Sequence, residues 1–162
     1  MRDLSPIEWA VRPLKKYAVF RGRAPRAEYW WFYLATIIVQ IPLTVVDKVT
    51  DNGDLLSTVF SFAILLPWLA VTVRRLHDTD RSGWWLLAFF GGFAVFGLFA
   101  VFGSAGLIAG TSGSFTSLIV AILVLLVVVI TLFVFMVLPG TPGPNSYGPD
   151  PYGPDSLEEV FA

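Results

Sequence analysis

Cysteine is absent from the 162 residues. That removes disulfides, thiolate metal sites, cysteine nucleophiles and palmitoylation in one step. Charge is scarce too. Asp, Glu, Lys and Arg make up 14% of the chain, against about 25% in ordinary globular proteins. The shortage is local: from Ser82 through Pro149 there is not one Asp, Glu, Lys or Arg. A soluble domain must put charge on its surface, so the natural solvent of this stretch is lipid. No basic face large enough for nucleic acid remains once the apolar runs are set aside. The first 28 residues are charged throughout, without the apolar core of a cleavable signal.

Four segments approach the roughly 20 apolar residues that cross a hydrocarbon core: 29–46, 55–73, 83–102 and 115–138. The fold class expected is therefore all-α and polytopic, a four-helix transmembrane bundle (29–138) between an N-terminal region (1–28) and a Pro/Gly-rich acidic tail (139–162). Lys and Arg set the orientation. Arg2, Arg12, Lys15, Lys16, Arg21, Arg23 and Arg26 precede the first span, and Arg74, Arg75 and Arg81 follow the second. Only Lys48 lies between spans one and two. Both termini are thus expected in the cytoplasm of a bacterial inner membrane. The opposite connections, Asp47–Asp54 and Gly103–Ser114, look plain.

Ser5-Pro6-Ile7-Glu8 reads as a helix start, with a Ser cap, Pro at the first helical position and Glu three residues after the cap. Ile7, Ala10/Val11, Leu14 and Tyr17/Ala18 then recur at helical spacing, while Arg12, Lys15 and Lys16 sit elsewhere. This is expected to be an amphipathic interfacial helix lying on the inner leaflet, with a helix packed under the bundle as the alternative. Pro67 falls inside span two and removes a backbone donor there. In span three, Ala88 and Gly92 are spaced for close helix packing, with Gly91 and Gly97 nearby. Span four, nearly all Ile, Leu, Val and Phe, is expected to face mostly lipid.

Three polar motifs fall on the expected inner face. They are Phe20-Arg-Gly-Arg-Ala-Pro-Arg-Ala-Glu-Tyr-Trp30, Arg74-Arg-Leu-His-Asp-Thr-Asp-Arg-Ser-Gly-Trp84 and Pro139-Gly-Thr-Pro-Gly-Pro-Asn-Ser-Tyr-Gly-Pro-Asp-Pro151. In that order they resemble the YhaH-like bacterial inner-membrane family, a domain of unknown function (number 805). That family is similar in its F-x-G-R-x-x-R-x-E-Y-W start, R-R-L-H-D-x-x-x-S-G-W centre and G-T-x-G-x-N-x-Y-G end. The resemblance runs from about Tyr17 to Pro151. It implies a small multi-span bacterial membrane protein and supplies no activity.

The residues themselves point to few chemistries. One His and two Asp in the second motif, without Cys, make a poor metal set, and no cofactor is implied. His77–Asp78 is conceivable as a base pair, yet Thr79 and Ser82 show no sign of activation as nucleophiles. No ionisable residue sits at mid-depth in a span, where proton relays and charged-substrate carriers place one. The bland reading of the second motif is a loop whose charges pair among themselves and with the first motif. The sharper reading makes the arginines a site for anionic headgroups, since guanidinium forks fit phosphate. Candidate members of an inner-face network binding lipid or a partner are Arg23, Arg26, Glu28, Trp30, Arg74, Arg75, His77, Asp78, Trp84, Asn145 and Tyr147. Across motifs, Glu28 is expected to pair with Arg74 or Arg75, and Asp78 with Arg23 or Arg26. The role expected is a non-enzymatic scaffold or accessory protein whose partners are anionic phospholipids, another membrane protein or further copies. An oligomeric channel or transporter is the alternative, and a membrane-embedded enzyme comes third.

Overall fold

The computed structural model describes residues 4–51, 53–110 and 114–153. Among these residues are five helices: α1 (Pro6–Lys15), α2 (Arg26–Thr50), α3 (Leu55–Asp78), α4 (Trp85–Ile108) and α5 (Ser114–Val137). Among the described residues there is no strand, only an isolated bridge between Asn145 and Gly148. Helices α2 to α5 are long and apolar enough to cross a membrane, so the chain is an α-helical multi-span membrane protein. Its contacts divide it into two units, one of Met1–Ser82 with Pro139–Ala162 and one of Gly83–Leu138.

In the first unit, α1 packs against α2 and α3. Its start is a capping box. Ser5 Oγ accepts the Glu8 N–H, and the Ser5 N–H donates to the Glu8 carboxylate at 2.7 Å, which holds that carboxyl below its usual range. Trp9 and Pro13 are buried, while Ile7, Val11 and Leu14 stay exposed. The expected apolar stripe therefore exists but faces away from the protein. The helix docks through its other face, which also carries Arg12.

α2 overruns its expected span at both ends, and α3 and α4 run past theirs at the C-terminal end. α2 continues to Thr50 because Asp47, expected to lie in a plain connection, has a structural task. Its buried carboxylate accepts the Leu56 and Ser57 N–H groups at 3.0 and 2.8 Å, satisfying two orphan donors at the start of α3. α3 continues through Asp78, so the first five residues of the second motif are helical rather than loop. Arg75 and His77 suit a last turn, where the helix dipole favours positive charge. Inside α3, Pro67 has no N–H for the carbonyl of Ala63, its i−4 partner. The Tyr17 hydroxyl donates to that carbonyl at 2.6 Å.

The second unit is the α4–α5 hairpin. Gly103, expected in a loop, lies within α4 and is buried, because a Cβ there would meet Leu118 and Ser117. A Cβ on Gly92 would collide with the Val128 side chain, so Gly92 is a close-approach position. Gly91 and Gly97 meet nothing within 4 Å and are not. On α5, Ala121 and Met136 are buried and Phe135 meets the Trp85 ring edge-on at 5.1 Å, while most other side chains are exposed. Val127, at 64% exposure, serves as the lipid-facing control. Gly92→Leu is expected to lower stability by about 1–3 kcal/mol through overpacking, and Val127→Leu to leave it unchanged. Thermal unfolding of both variants in detergent measures this. Equal melting points would refute the close approach.

Candidate functional site

Helix α3 ends with carbonyls that have no intrahelical donor, and this end is buried. The turn that follows serves some of them, with the Thr79 and Arg81 N–H groups donating to Leu76 O and the Asp80 N–H to His77 O, and two distant segments add further donors to this last stretch of helix. The Ala24 N–H of the first motif donates to Arg74 O at 2.9 Å. From the third motif, the Thr141 N–H donates to Asp78 O at 2.8 Å, and Asn145 Nδ2 to His77 O at 2.8 Å. Asn145 Nδ2 also donates to Thr141 Oγ1, and Asn145 Oδ1 accepts the Tyr147 N–H in a local turn. That turn lays the Tyr147 ring flat on His77, with centroids 3.9 Å apart and planes 5° from parallel. His77 Nδ1 lies 3.2 Å from Gly22 O. The three sequence motifs are thus one cap on one helix end.

Charge runs through the same contacts. Arg23 spreads its guanidinium over three acceptors: Asp78 Oδ1 at 3.0 Å, Gly143 O at 2.6 Å and Thr141 O at 2.6 Å. Asp78 also pairs with Arg75 on its own helix. Glu28, in the first turn of α2, takes Arg74 Nη1 at 2.6 Å and Arg12 Nε at 3.3 Å. Glu28, Arg23, Arg74, Arg75 and Asp78 are all buried. Arg12 lies beside Trp9, 5.7 Å from the ring centroid. Among the described residues, Glu28 and Asp78 thus sit amid four guanidiniums, and Glu28 Oε2, Arg74 Nε and Arg74 Nη2 are buried without a hydrogen bond. Gly140 is packed against this centre, since a Cβ there would collide with the Asp78 carboxylate.

Of the alternatives open in the sequence, Glu28 takes Arg74, and Asp78 takes Arg23. His77, Asn145 and Tyr147 join the cap. Arg26 is exposed. Trp30 packs edge-on to Tyr29 and Tyr33, at 5.4 and 5.9 Å. Trp84 belongs to the second unit and is 75% exposed. As direct ligands for a headgroup, Arg23, Arg74 and Arg75 are a poor choice, because they are enclosed in ion pairs. Exposed Arg21 and Arg26 border the network instead. Sequence reasoning missed Arg12, Trp9, Thr141 and Gly140. For Arg12 a signal existed: it lies beside Pro13, off the apolar stripe, on the face that docks. Among the described residues, no three His, Asp or Glu side chains gather where they could hold a metal ion.

Residues 17–149 match the family described as "Protein of unknown function (DUF805)". The chain belongs to that family. It is 46% identical over 88 residues to the inner membrane protein YhaH of Escherichia coli strain K12, covering 51% of this chain and 73% of YhaH. It is 45% identical over 85 residues to the inner membrane protein YhaI of the same strain, covering 52% of this chain and 72% of YhaI. No solved structure matches.

Breaking one member of a buried pair strands the other charge and typically costs about 3–5 kcal/mol, against about 0–1 for an exposed pair. Glu28→Gln and Arg74→Gln are each expected to cause losses in the buried range. The double variant should lose far less than their sum. Stability of the three variants in detergent decides it, and small additive losses would mean that the charges are solvated.

Proposed function

We propose that the chain is a non-enzymatic scaffold or accessory protein of a bacterial inner membrane. Its charged end lies in the cytoplasm and holds anionic lipid headgroups. The observation that carries the reading is the gathering of guanidiniums at one end: Arg12, Arg23, Arg74 and Arg75 in the cap, with Arg21 and Arg26 exposed beside it. A positive cluster at a membrane interface draws phosphate, each basic residue near an anionic surface contributing roughly 1 kcal/mol. A cap filled by its own side chains suits a rigid support better than a catalytic cleft. Its relatives YhaH and YhaI are inner membrane proteins, and the concentration of Lys and Arg at this end supports its cytoplasmic placement.

The channel reading has one observation in its favour. A groove of about 440 Å³ between α2 and α3 is lined by Thr36, Gln40 and Ser61 among apolar side chains. It contains no ionisable group, so it supports carriage of charged species poorly.

Native mass spectrometry after mild detergent extraction tests the proposal. The wild-type chain is expected to retain phosphatidylglycerol or cardiolipin, and Arg21→Gln/Arg26→Gln to lose most of it. Equal retention of phosphatidylethanolamine, or no retained lipid, would overturn headgroup binding, and a ring of defined subunit number would favour the channel. Reporter fusions at Gly53 and Ser112 check orientation, with a cytoplasmic signal at either contradicting it.

A further inference from the structure

The Tyr17–Ala63 hydrogen bond fixes a depth. Eleven residues of α3 separate Ala63 from Arg74, a rise of about 16 Å at 1.5 Å per residue. Half of a bilayer's hydrocarbon core is about 15 Å. With Arg74 at the charged end, the carbonyl of Ala63 lies near mid-membrane, and the Tyr17 hydroxyl reaches it at 2.6 Å. Such a carbonyl, left without its donor by Pro67, cannot turn to water for a replacement. The segment that carries Tyr17 must therefore descend well below the interface. Its two ends are held at the charged end. Trp9 meets Tyr152 at 6.5 Å and Arg12 meets Glu28 at 3.3 Å. After the turn at 16–18, Gly22 O returns to His77 and the Ala24 N–H to Arg74 O.

We infer that residues 6–22 form a re-entrant element immersed in one leaflet, with its outer side in contact with lipid acyl chains. The side chains it turns outward fit that solvent. Ile7, Val11 and Leu14 share one helix face, and Val19 and Phe20 continue it beyond the turn, all of them exposed in the protein. The docked face is separate, with Trp9 and Pro13 buried. Exposed Lys15 and Arg21 flank the apolar surface, and their long stems let the charged heads reach the headgroup layer while the backbone stays deep. This differs from a helix lying flat on the membrane, which would leave Tyr17 at the surface, out of reach of Ala63. It is independent of headgroup selectivity, because the depth comes from a hydrogen bond to a membrane span.

The absence of cysteine makes single-site spin labelling direct. Labels at Ile7→Cys, Leu14→Cys and Phe20→Cys replace exposed side chains and leave the docked face intact. Phe62→Cys, exposed beside Ala63, provides the mid-depth standard, and Ser146→Cys, exposed in the third motif, the water-side standard. The chain is reconstituted in nanodiscs of phosphatidylcholine alone and of phosphatidylcholine with phosphatidylglycerol. Accessibility to oxygen and to a water-soluble nickel chelate is then compared. The expected result is an oxygen-to-nickel ratio at Leu14→Cys and Phe20→Cys that is severalfold above Ser146→Cys and approaches Phe62→Cys, in both lipids. Adding Tyr17→Phe should shift Leu14→Cys towards the water-side value while Phe62→Cys stays put. Ratios at Leu14→Cys and Phe20→Cys equal to Ser146→Cys would overturn immersion. Exclusion of both reagents would overturn lipid contact in favour of a protein neighbour, such as a second copy. Immersion that persists in phosphatidylcholine alone stands even if anionic headgroup binding fails.

Discussion

The buried C-terminal end of α3 is the constraint on which the first unit depends. A helix end inside a membrane protein has carbonyls to satisfy, and this one adds two arginines and an aspartate that cannot be left bare. Burying each charge alone is prohibitive. The chain meets the cost with partners from three regions: Glu28, shared with Arg12, for Arg74, Arg23 for Asp78, and the Thr141–Asn145 turn for the last carbonyls. Remove any of these and the others lose the group they were built around. Gly140 belongs to the same logic, because the third motif can only approach Asp78 without a Cβ.

The same principle acts at the other end of α3 and in its middle. Asp47 caps the helix start, and Tyr17 repairs the bond that Pro67 breaks. Where water is absent, every backbone group needs a named partner. α3 is therefore held at three depths by separate segments of the chain. The α4–α5 hairpin is held differently. It has almost no polar groups to satisfy, so close approach at Gly92 and Gly103 and interlocking rings such as Trp85 with Phe135 hold it together.

Much of this was legible in the sequence. Long uncharged runs report spans because hydrocarbon tolerates nothing else, and Glu28 and Arg74 at matching depths were bound to seek partners. Helix ends were less legible. Charged residues do not stop a helix, so α3 runs through Arg74 to Asp78, and Gly103 packs inside α4 instead of ending it. Arg12 was hidden because periodicity shows which face is apolar but not which face docks. Here the polar-looking face docked and the apolar stripe stayed outside. Asp47 resembled any acidic loop residue, since a cap is defined by two N–H groups nine and ten positions later. The contributions of Thr141 and of the Gly143 carbonyl rest on backbone geometry that composition does not encode.

The central claim is that the three motifs form one cooperative cap, joined at Arg23. Replacing Arg23 by Lys keeps the charge but loses the fork that reaches Asp78, Thr141 and Gly143 together. Hydrogen–deuterium exchange of the full chain in detergent reads the consequence directly. The account predicts that Arg23→Lys accelerates exchange at residues 74–81 and at residues 139–147 together, although both are far from the substitution in sequence. Acceleration confined to residues near 23, with both distant segments as protected as in the unaltered protein, would contradict it.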